Sequence, residues 1–278
     1  MVAEGVDEVA IETFAHYYRL LEHGETGMIP ESSIEPIDME SLADVEVSDD
    51  VAADAVRKTA VIKLNGGLGT SMGMERAKSL LCVRRGLSFL DIIARQVLHL
   101  RTQYDATLPL LFMNSFRTSA DTMEALARYE DLPVDGLPLE FLQNKEPKLL
   151  EADLMPAAYP KDPDLEWCPP GHGDIYTALR GTGLLAQLID AGYRYVFVSN
   201  SDNLGAVLVA DLDLAERGHV DRVDARLGDH PGLAVLEEPV VVRERVDRDL
   251  VHTGRAHLPA REREALGVAL ACHGSIVG

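Results

Sequence analysis

The segment AVIKLNGGLGTSMG (residues 60–73) joins a short apolar run to a loop that is rich in glycine. The apolar run, AVIKL, is typical of a strand that is buried on both faces of a parallel sheet. Gly66, Gly67 and Gly69 then follow within four positions. Glycine lacks a Cβ, so it either serves a tight turn between strand and helix or lets backbone N–H groups approach a base or a phosphate. The segment therefore predicts a buried strand and leaves both explanations of the glycines open.

Strand-like and helical segments alternate along residues 60–206, which favours an α/β fold with a mixed, mostly parallel sheet and flanking helices. Three further apolar runs suit strands, namely LPLLFM (108–113), PLEFL (138–142) and RYVFVS (194–199). Ser88 and Asp91 have the spacing of a capping box at the start of a long helix. Two more helices are predicted by SADTMEALARYE (119–130) and, less regularly, by GDIYTALRGTGLLAQLIDAG (173–192).

The polar residues that end or follow these strands are the first candidates for a ligand site. They are Asn65, Asn114, Gln143, Asn200 and Asp202. In open parallel sheets, ligands bind outside the carboxyl ends of the strands. We therefore expect these five residues to surround a common crevice.

Three further residues bear on that site, and Asp202 has a more specific interpretation. Lys78 follows the glycine loop and offers a cation for phosphate. His172 lies in PPGHGD (169–174), where flanking glycines expose the imidazole, although an ordinary surface turn has the same composition. Asp202 is the type of ligand that Mg²⁺ uses together with nucleotide phosphates, and an Asx-turn is the alternative. Asp174 is expected to cap the helix that follows it.

The composition narrows the function classes. A net charge of −20 repels nucleic acids and anionic membranes, so we expect the chain to bind neither. No apolar run approaches the roughly 18 residues of a membrane span, and the N-terminus lacks the basic start of a secretory signal. Cys82, Cys168 and Cys272 are widely spaced, which favours a reducing compartment. We therefore expect a cytoplasmic protein.

Three regions differ in character along the chain. Residues 1–59 are interpreted as a helical lead-in and residues 60–206 as the α/β domain. Residues 207–278 contain no lysine and no aromatic residue, although they hold nine arginines. A GC-rich gene that is read in a wrong frame gives such a composition, so we interpret residues 207–278 as an anomalous tail that is either frameshifted or disordered.

Six ordered motifs give the chain a resemblance to one enzyme family. They are LNGGLGTSMGMERAKSLL, GLSFLDIIARQV, LLFMNSFRTSADT, FLQNKEPKL, PPGHGDIYTAL and FVSNSDNLGA. With the preceding stretch YYRLLEHGETGMIPESSIEPID, they resemble the eukaryotic-type UTP–glucose-1-phosphate uridylyltransferases over about residues 14–206. The resemblance implies a Rossmann-like nucleotidyltransferase fold of the GT-A type. Residues 60–206 would then be an incomplete nucleotide-binding catalytic domain that lacks the C-terminal part of the fold.

The resemblance also implies roles for the candidate residues. The contacts to UTP would come from Leu64, Asn65, Gly66, Gly67, Lys78, Gln143, Gly171 and Asn200. Lys78 would be the catalytic cation, His172 and Asn200 would contact glucose 1-phosphate, and Asp202 would bind Mg²⁺. The implied reaction joins UTP and glucose 1-phosphate to form UDP-glucose and pyrophosphate.

Two other functions stay open. The first is a catalytically inactive UTP-binding fragment. The resemblance implies a second phosphate-binding lysine in the later part of the fold, and residues 207–278 contain no lysine that could supply it. The second is a related UDP-N-acetylhexosamine pyrophosphorylase, although NGGLGTSMG and PPGHGD look closer to the glucose enzymes. A dinucleotide-binding oxidoreductase is not expected, because GLGTSMG misses the G-x-G-x-x-G pattern by one residue.

Overall fold

A computed structural model describes residues 1–25, 27–36, 47–68, 73, 76–206 and 208. The tail predicted at 207–278 therefore lies outside the described residues, except for Leu208. The helices are α1 (Glu8–Glu22), α2 (Asp49–Arg57), α3 (Phe89–Tyr104), α4 (Ser119–Leu126), α5 (Ile175–Gly181) and α6 (Leu184–Asp190). The strands are β1 (Thr59–Asn65), β2 (Cys82–Arg84), β3 (Leu87–Ser88), β4 (Leu110–Asn114), β5 (Glu140–Leu142), β6 (Glu146–Pro147), β7 (Trp167–Cys168) and β8 (Tyr195–Asn200).

The contacts divide the chain into two units. The first unit contains the described residues of Met1–Ile37 and of Leu142–Gly181, and the second contains those of Asp38–Phe141 and those from Thr182 onward. This division differs from the sequence-based one, in which residues 60–206 form a single domain. Segment 142–181 groups with the N-terminus because α5 packs on α1. The Tyr18 hydroxyl also donates a hydrogen bond of 3.2 Å to the backbone carbonyl of Leu154.

A four-stranded sheet in the order β5-β4-β1-β8 forms the centre of the second unit. β1 runs parallel to both β4 and β8, with Asn65 opposite Asn114 and Leu64 opposite Asn200. The predicted parallel α/β architecture is therefore confirmed. The carboxyl ends of three strands lie at one edge of this sheet, as the alternation of strand and helix predicts.

The core of the second unit lies between the sheet and α3. Leu90, Ile93 and Val97 of α3 are buried in one cluster with Val61 and Phe112 of the sheet. Full burial of each such side chain contributes about 1.5–3 kcal/mol. The apolar runs of the sequence form strands because this cluster covers them.

The start of α3 follows the predicted capping box. The Asp91 backbone N–H donates to the Ser88 hydroxyl oxygen at 3.2 Å, and the Ser88 backbone N–H donates to Asp91 Oδ2 at 2.9 Å. Each residue thereby satisfies a backbone donor that the first helical turn leaves unpaired. This prediction is confirmed.

The single helix predicted over residues 173–192 is wrong, because the structure has two helices there. α5 ends at Gly181 and α6 begins at Leu184. Between them, Gly183 has a φ of +73°, a left-handed conformation that glycine adopts without steric cost. The apolar spacing continues on both sides of the break, which conceals it in the sequence.

The first unit is built on α1 and two short strands. Asp7 caps α1, since its carboxylate accepts a hydrogen bond of 3.0 Å from the Val9 backbone N–H. β6 and β7 form an antiparallel pair. Lys145 forms an ion pair with Glu4 and lies 5.2 Å from the centre of the Trp167 ring. In the part of the chain that the structure describes, we find no helix with the length and apolarity needed to cross a membrane.

Candidate functional site

A buried polar network stands at the carboxyl ends of β1 and β4. Asn65 Nδ2 donates to Asn114 Oδ1 at 2.7 Å and to the Thr122 hydroxyl of α4 at 2.9 Å. Asn114 Nδ2 in turn donates to Glu140 Oε2 at 2.7 Å. Asn114 is fully buried and Asn65 is 4% exposed. These two side chains therefore brace the strand ends, and ligand contacts from Asn65 would come from its backbone.

The same network fixes the start of the glycine loop. The Thr118 hydroxyl donates to the carbonyl oxygen of Asn65 at 2.8 Å, and the Ser115 hydroxyl donates to the carbonyl oxygen of Gly66 at 2.9 Å. The backbone at the end of β1 is thus held in one conformation by residues that follow β4. Sequence reasoning missed Ser115 and Thr118, although both lie in the motif NSFRTS that it singled out.

Gly67 distinguishes between the two explanations of the loop. Its φ lies outside the left-handed region, and an added Cβ would meet no described atom within 4 Å. Neither its backbone conformation nor the described residues around it therefore require glycine at this position. A ligand that approaches the backbone closely would require it, because a Cβ would fill that space.

Lys78 is anchored to this loop. Its backbone N–H donates to the carbonyl oxygen of Gly67 at 3.3 Å, and Leu68 forms a β-bridge with Ala77. Lys78 Nζ lies 3.8 Å from Asp202 Oδ2, and both side chains are partly exposed, at 38% and 45%. The predicted phosphate cation and the predicted metal ligand therefore face each other.

The loop after β8 brings Asn200 and Asp202 to the end of β1. Asn200 lies opposite Leu64 in the parallel ladder, and the Ser201 backbone N–H donates to the carbonyl oxygen of Leu64 at 3.0 Å. Of the five residues expected around one crevice, the structure thus gathers Asn65, Asn114, Asn200 and Asp202 at one edge of the sheet. Gln143 belongs to the other unit.

The described residues offer few ligands for a metal ion. Among them, no cluster of three or more His, Cys, Asp or Glu side chains is positioned to hold one. Mg²⁺ commonly takes one or two carboxylates and completes its shell with water and substrate phosphates. The exposed carboxylate of Asp202 fits that kind of site.

In the first unit, Gln143 and Gly171 are in contact. Gln143 Nε2 donates to the carbonyl oxygen of Gly171 at 3.4 Å. Gln143 is 7% exposed, and its Oε1 has no hydrogen-bond partner among the described residues. Gly171 has a φ of +103°, so a side chain at this position would strain the backbone. A buried amide oxygen of this kind is available to accept a hydrogen bond from a ligand.

Asp174 links the segment after β5, which contains Gln143 and Asn144, to the start of α5, so it does more than cap that helix. Its carboxylate accepts hydrogen bonds from the Asn144 backbone N–H at 2.6 Å, from Asn144 Nδ2 at 2.9 Å and from the Thr177 hydroxyl. Burial raises the pKa of Asp174, and these hydrogen bonds oppose the rise. His172 is exposed at the start of the 3-10 turn His172–Asp174.

Glu146 is a half-buried carboxyl group near the buried Asp174. Burial, together with the charge of Asp174, raises the pKa of Glu146 to about 7. The sequence gives no signal for this shift, because it depends on the fold that brings the two carboxyl groups together.

Lys63 is a functional candidate that sequence reasoning missed. It lies in the middle of β1 and is only 3% exposed, and burial lowers its pKa to about 8. A lysine inside the apolar run AVIKL is the available signal, since a charged side chain is rarely buried without a partner.

A family model for UTP–glucose-1-phosphate uridylyltransferase matches residues 11–222, more than half of the chain. The chain belongs to this family. The match begins three residues before the motif-based resemblance and continues past Ala206, where that resemblance ends. The family assignment from the six motifs is confirmed.

Relatives in the uridylyltransferase family share much of the sequence. A probable UTP–glucose-1-phosphate uridylyltransferase of Schizosaccharomyces pombe is 44% identical over 159 residues, which cover 57% of this chain and 31% of that protein. The chain spans about a third of the length of the curated relatives that it matches.

Solved structures of this family share the fold. A mutant UDP-glucose pyrophosphorylase from Leishmania major, in complex with UDP-glucose, has a TM-score of 0.73 and 46% identity, covering 80% of this chain and 46% of that one. A UDP-glucose phosphorylase from Trypanosoma brucei has a TM-score of 0.72 and 43% identity, covering 78% and 47%. The predicted nucleotidyltransferase fold of the uridylyltransferase family is therefore confirmed.

Proposed function

We propose that the chain binds UTP and transfers its uridylyl group to glucose 1-phosphate, which yields UDP-glucose and pyrophosphate. The observation that carries this proposal is the position of Lys78, 3.8 Å from Asp202 and bonded through its backbone to Gly67. A cation, a carboxylate and an open glycine backbone together suit a metal-bound polyphosphate. We further propose that the protein uses Mg²⁺ and acts in the cytoplasm.

The phosphate groups of UTP would be held beyond the carboxyl ends of β1 and β8. The backbone of Leu64, Asn65, Gly66 and Gly67 would lie along the nucleotide, and Lys78 would contact its phosphates. Asp202 would bind Mg²⁺ beside the phosphates, and Asn200 would contact the nucleotide. When bound, Mg²⁺ neutralises negative charge on the phosphate oxygens.

Uracil would be read by Gln143, with Gly171 against the uridine. Uracil presents an N3–H donor between two carbonyl acceptors, whereas cytosine has an unprotonated N3 that only accepts. The buried Oε1 of Gln143 can accept from the uracil N3–H. With cytosine, two acceptors would face each other, and the site would discriminate against CTP.

In the reaction, a phosphate oxygen of glucose 1-phosphate attacks the α-phosphorus of UTP, and the bond to pyrophosphate breaks. The chain's part is to hold the two substrates in line and to offset the charge of the transition state, so no covalent enzyme intermediate is required. Lys78 would stabilise the phosphate charge, and the exposed His172 would contact the sugar phosphate.

One observation favours a second candidate, which is UTP binding without turnover. The family resemblance implies a further lysine at the phosphates in the later part of the fold, and residues 207–278 contain no lysine.

Pyrophosphate release from UTP, glucose 1-phosphate and Mg²⁺ tests the proposal. Glucose-1-phosphate-dependent release supports the transferase, and UTP binding without release supports the second candidate. If the chain neither binds UTP nor releases pyrophosphate, both candidates are wrong.

A further inference from the structure

Lys63 is a buried cation that the proposed chemistry does not use. It lies in β1 between Phe112 of β4 and Ser199 of β8, and it is 3% exposed. Burying an ammonium group costs free energy unless hydrogen bonds replace its water. A methionine of similar length would fill the same space without that cost. The hydrogen bonds of the Lys63 ammonium group therefore indicate which part of the structure the lysine holds in place.

The ammonium group of Lys63 bonds to both ends of one loop. Nζ donates to the Ser199 hydroxyl at 2.6 Å and to the carbonyl oxygen of Ala206 at 3.2 Å. The Phe197 ring lies beside it, with its centre 5.6 Å from Nζ. Ser199 precedes the loop of residues 200–205, and Ala206 follows it. We call this segment the Asp202 loop, because it carries Asp202.

Hydrogen bonds inside the Asp202 loop transmit this anchor. The Ala206 and Gly205 backbone N–H groups donate to Asn203 Oδ1 at 3.2 and 3.1 Å. The Asn203 backbone N–H donates to the carbonyl oxygen of Asn200 at 3.2 Å. A continuous chain of contacts thus runs from Lys63 through Ala206 and Asn203 to the turn that contains Asp202.

We propose that Lys63 is a positioning residue for Asp202, because its ammonium group closes the Asp202 loop onto the sheet and holds the carboxylate opposite Lys78. The consequence for ligand binding rests on the proposed function, in which Asp202 holds Mg²⁺ beside the phosphates of UTP. Lys63 touches neither substrate in this scheme and acts only through the loop.

The first test is amide hydrogen exchange of the whole chain, which needs no ligand. Lys63→Met preserves side-chain length and removes both hydrogen bonds. We expect amides of residues 203–206 to exchange at least about tenfold faster in this variant, since exchange reports local opening. Lys58→Met is the matched control, because Lys58 is exposed and forms an ion pair with Asp54. Equal exchange in Lys63→Met and the wild type would overturn the proposal.

The second test compares UTP affinity with and without Mg²⁺. We expect Lys63→Met to weaken UTP binding about tenfold in Mg²⁺ and to change it little in EDTA. Asp202→Asn should have the same effect. About tenfold is the typical size of the loss of one charge-assisted contact. A general structural defect would instead weaken both affinities equally, and that outcome contradicts a positioning role.

Two further outcomes remain decisive. If Lys63→Met does not fold, Ser199→Ala removes one acceptor of the ammonium group and should still speed exchange at residues 203–206, whereas unchanged exchange would overturn the proposal. If the wild type does not bind UTP, the proposed function fails, and the exchange experiment alone still decides whether Lys63 closes the loop.

Discussion

The ammonium group of Lys78 lies 3.8 Å from the carboxylate of Asp202, so two residues 124 positions apart in the sequence face each other beyond the ends of β1 and β8. Both side chains are partly exposed, and exposed ion pairs contribute only about 0–1 kcal/mol to stability. The pair therefore adds little to the free energy of unfolding.

Lys78→Met should separate ligand binding from stability. We expect the free energy of unfolding to change by less than about 1 kcal/mol, because the ion pair is exposed. UTP affinity should fall at least about tenfold, since a phosphate contact is lost. Calorimetric titration and urea unfolding measure the two effects. Arg76→Met, two positions away and also exposed, is the control and should retain UTP affinity. Equal losses in the two variants would contradict a specific role for Lys78.

Asn114→Leu should destabilise the sheet edge. The substitution removes the acceptor of Asn65 Nδ2 and the donor to Glu140. Loss of partners in a buried network costs about 1–3 kcal/mol, and urea unfolding should show a loss of that size. Gln103→Leu, at an exposed amide on α3, serves as the control and should stay within about 0.5 kcal/mol of the wild type. An unchanged free energy of unfolding for Asn114→Leu would show that the network does not stabilise the strand ends.

Glu146→Gln should stabilise the chain at alkaline pH. The folded pKa of Glu146 is raised from 4.5 to about 7, so the folded state binds the proton more tightly than the unfolded state. The wild type therefore loses stability as the pH rises from 4.5 through 7, by up to about 3 kcal/mol. Glutamine removes this loss, so the variant should match the wild type near pH 4.5 and exceed its stability at pH 8.

Urea unfolding at both pH values measures this difference. Glu151→Gln, at an exposed position of the same unit, provides the control and should show no such pH-dependent gain. If Glu146→Gln and the wild type have the same stability at pH 8, the proton affinity of the half-buried Glu146 carboxyl group is not raised.

Gly183→Ala should destabilise the junction between α5 and α6. Gly183 has a φ of +73° with no described atom within 4 Å of an added Cβ, so the penalty would come from backbone strain alone. Such strain costs about 1–2 kcal/mol. Gly173→Ala is the control, because its φ is not left-handed and its Cβ position is equally open. Equal melting temperatures for the two variants would contradict this explanation of the helix break.

Much of the fold was predictable because its signals are local. The apolar run at 60–64 lies within β1, and the spacing of Ser88 and Asp91 gives the start of α3. The break at Gly183 was not predicted, since Leu179, Leu184 and Leu188 continue the apolar pattern across it. Only the left-handed backbone conformation of Gly183 marks the break between the two helices.

The position of a candidate residue was predictable where the residue ends a strand or lies just beyond it, as Asn200 and Asp202 do. Its supporting contacts were not predictable, because they join residues that are distant in sequence. Lys63 bonds to Ala206, 143 positions away, and Asn65 bonds to Thr122, 57 positions away. A buried lysine in an apolar strand signals a special role but does not identify its partner.

Calorimetric titration of the chain with UTP, CTP and ATP in Mg²⁺ tests whether the chain binds UTP selectively. We predict saturable binding of UTP, at least about tenfold tighter than that of CTP or ATP, because the Gln143 amide oxygen would accept from the uracil N3–H. Gln143→Ala should reduce this preference. Absence of UTP binding, or equal affinity for the three nucleotides, would contradict a uridine-specific nucleotide site in this chain.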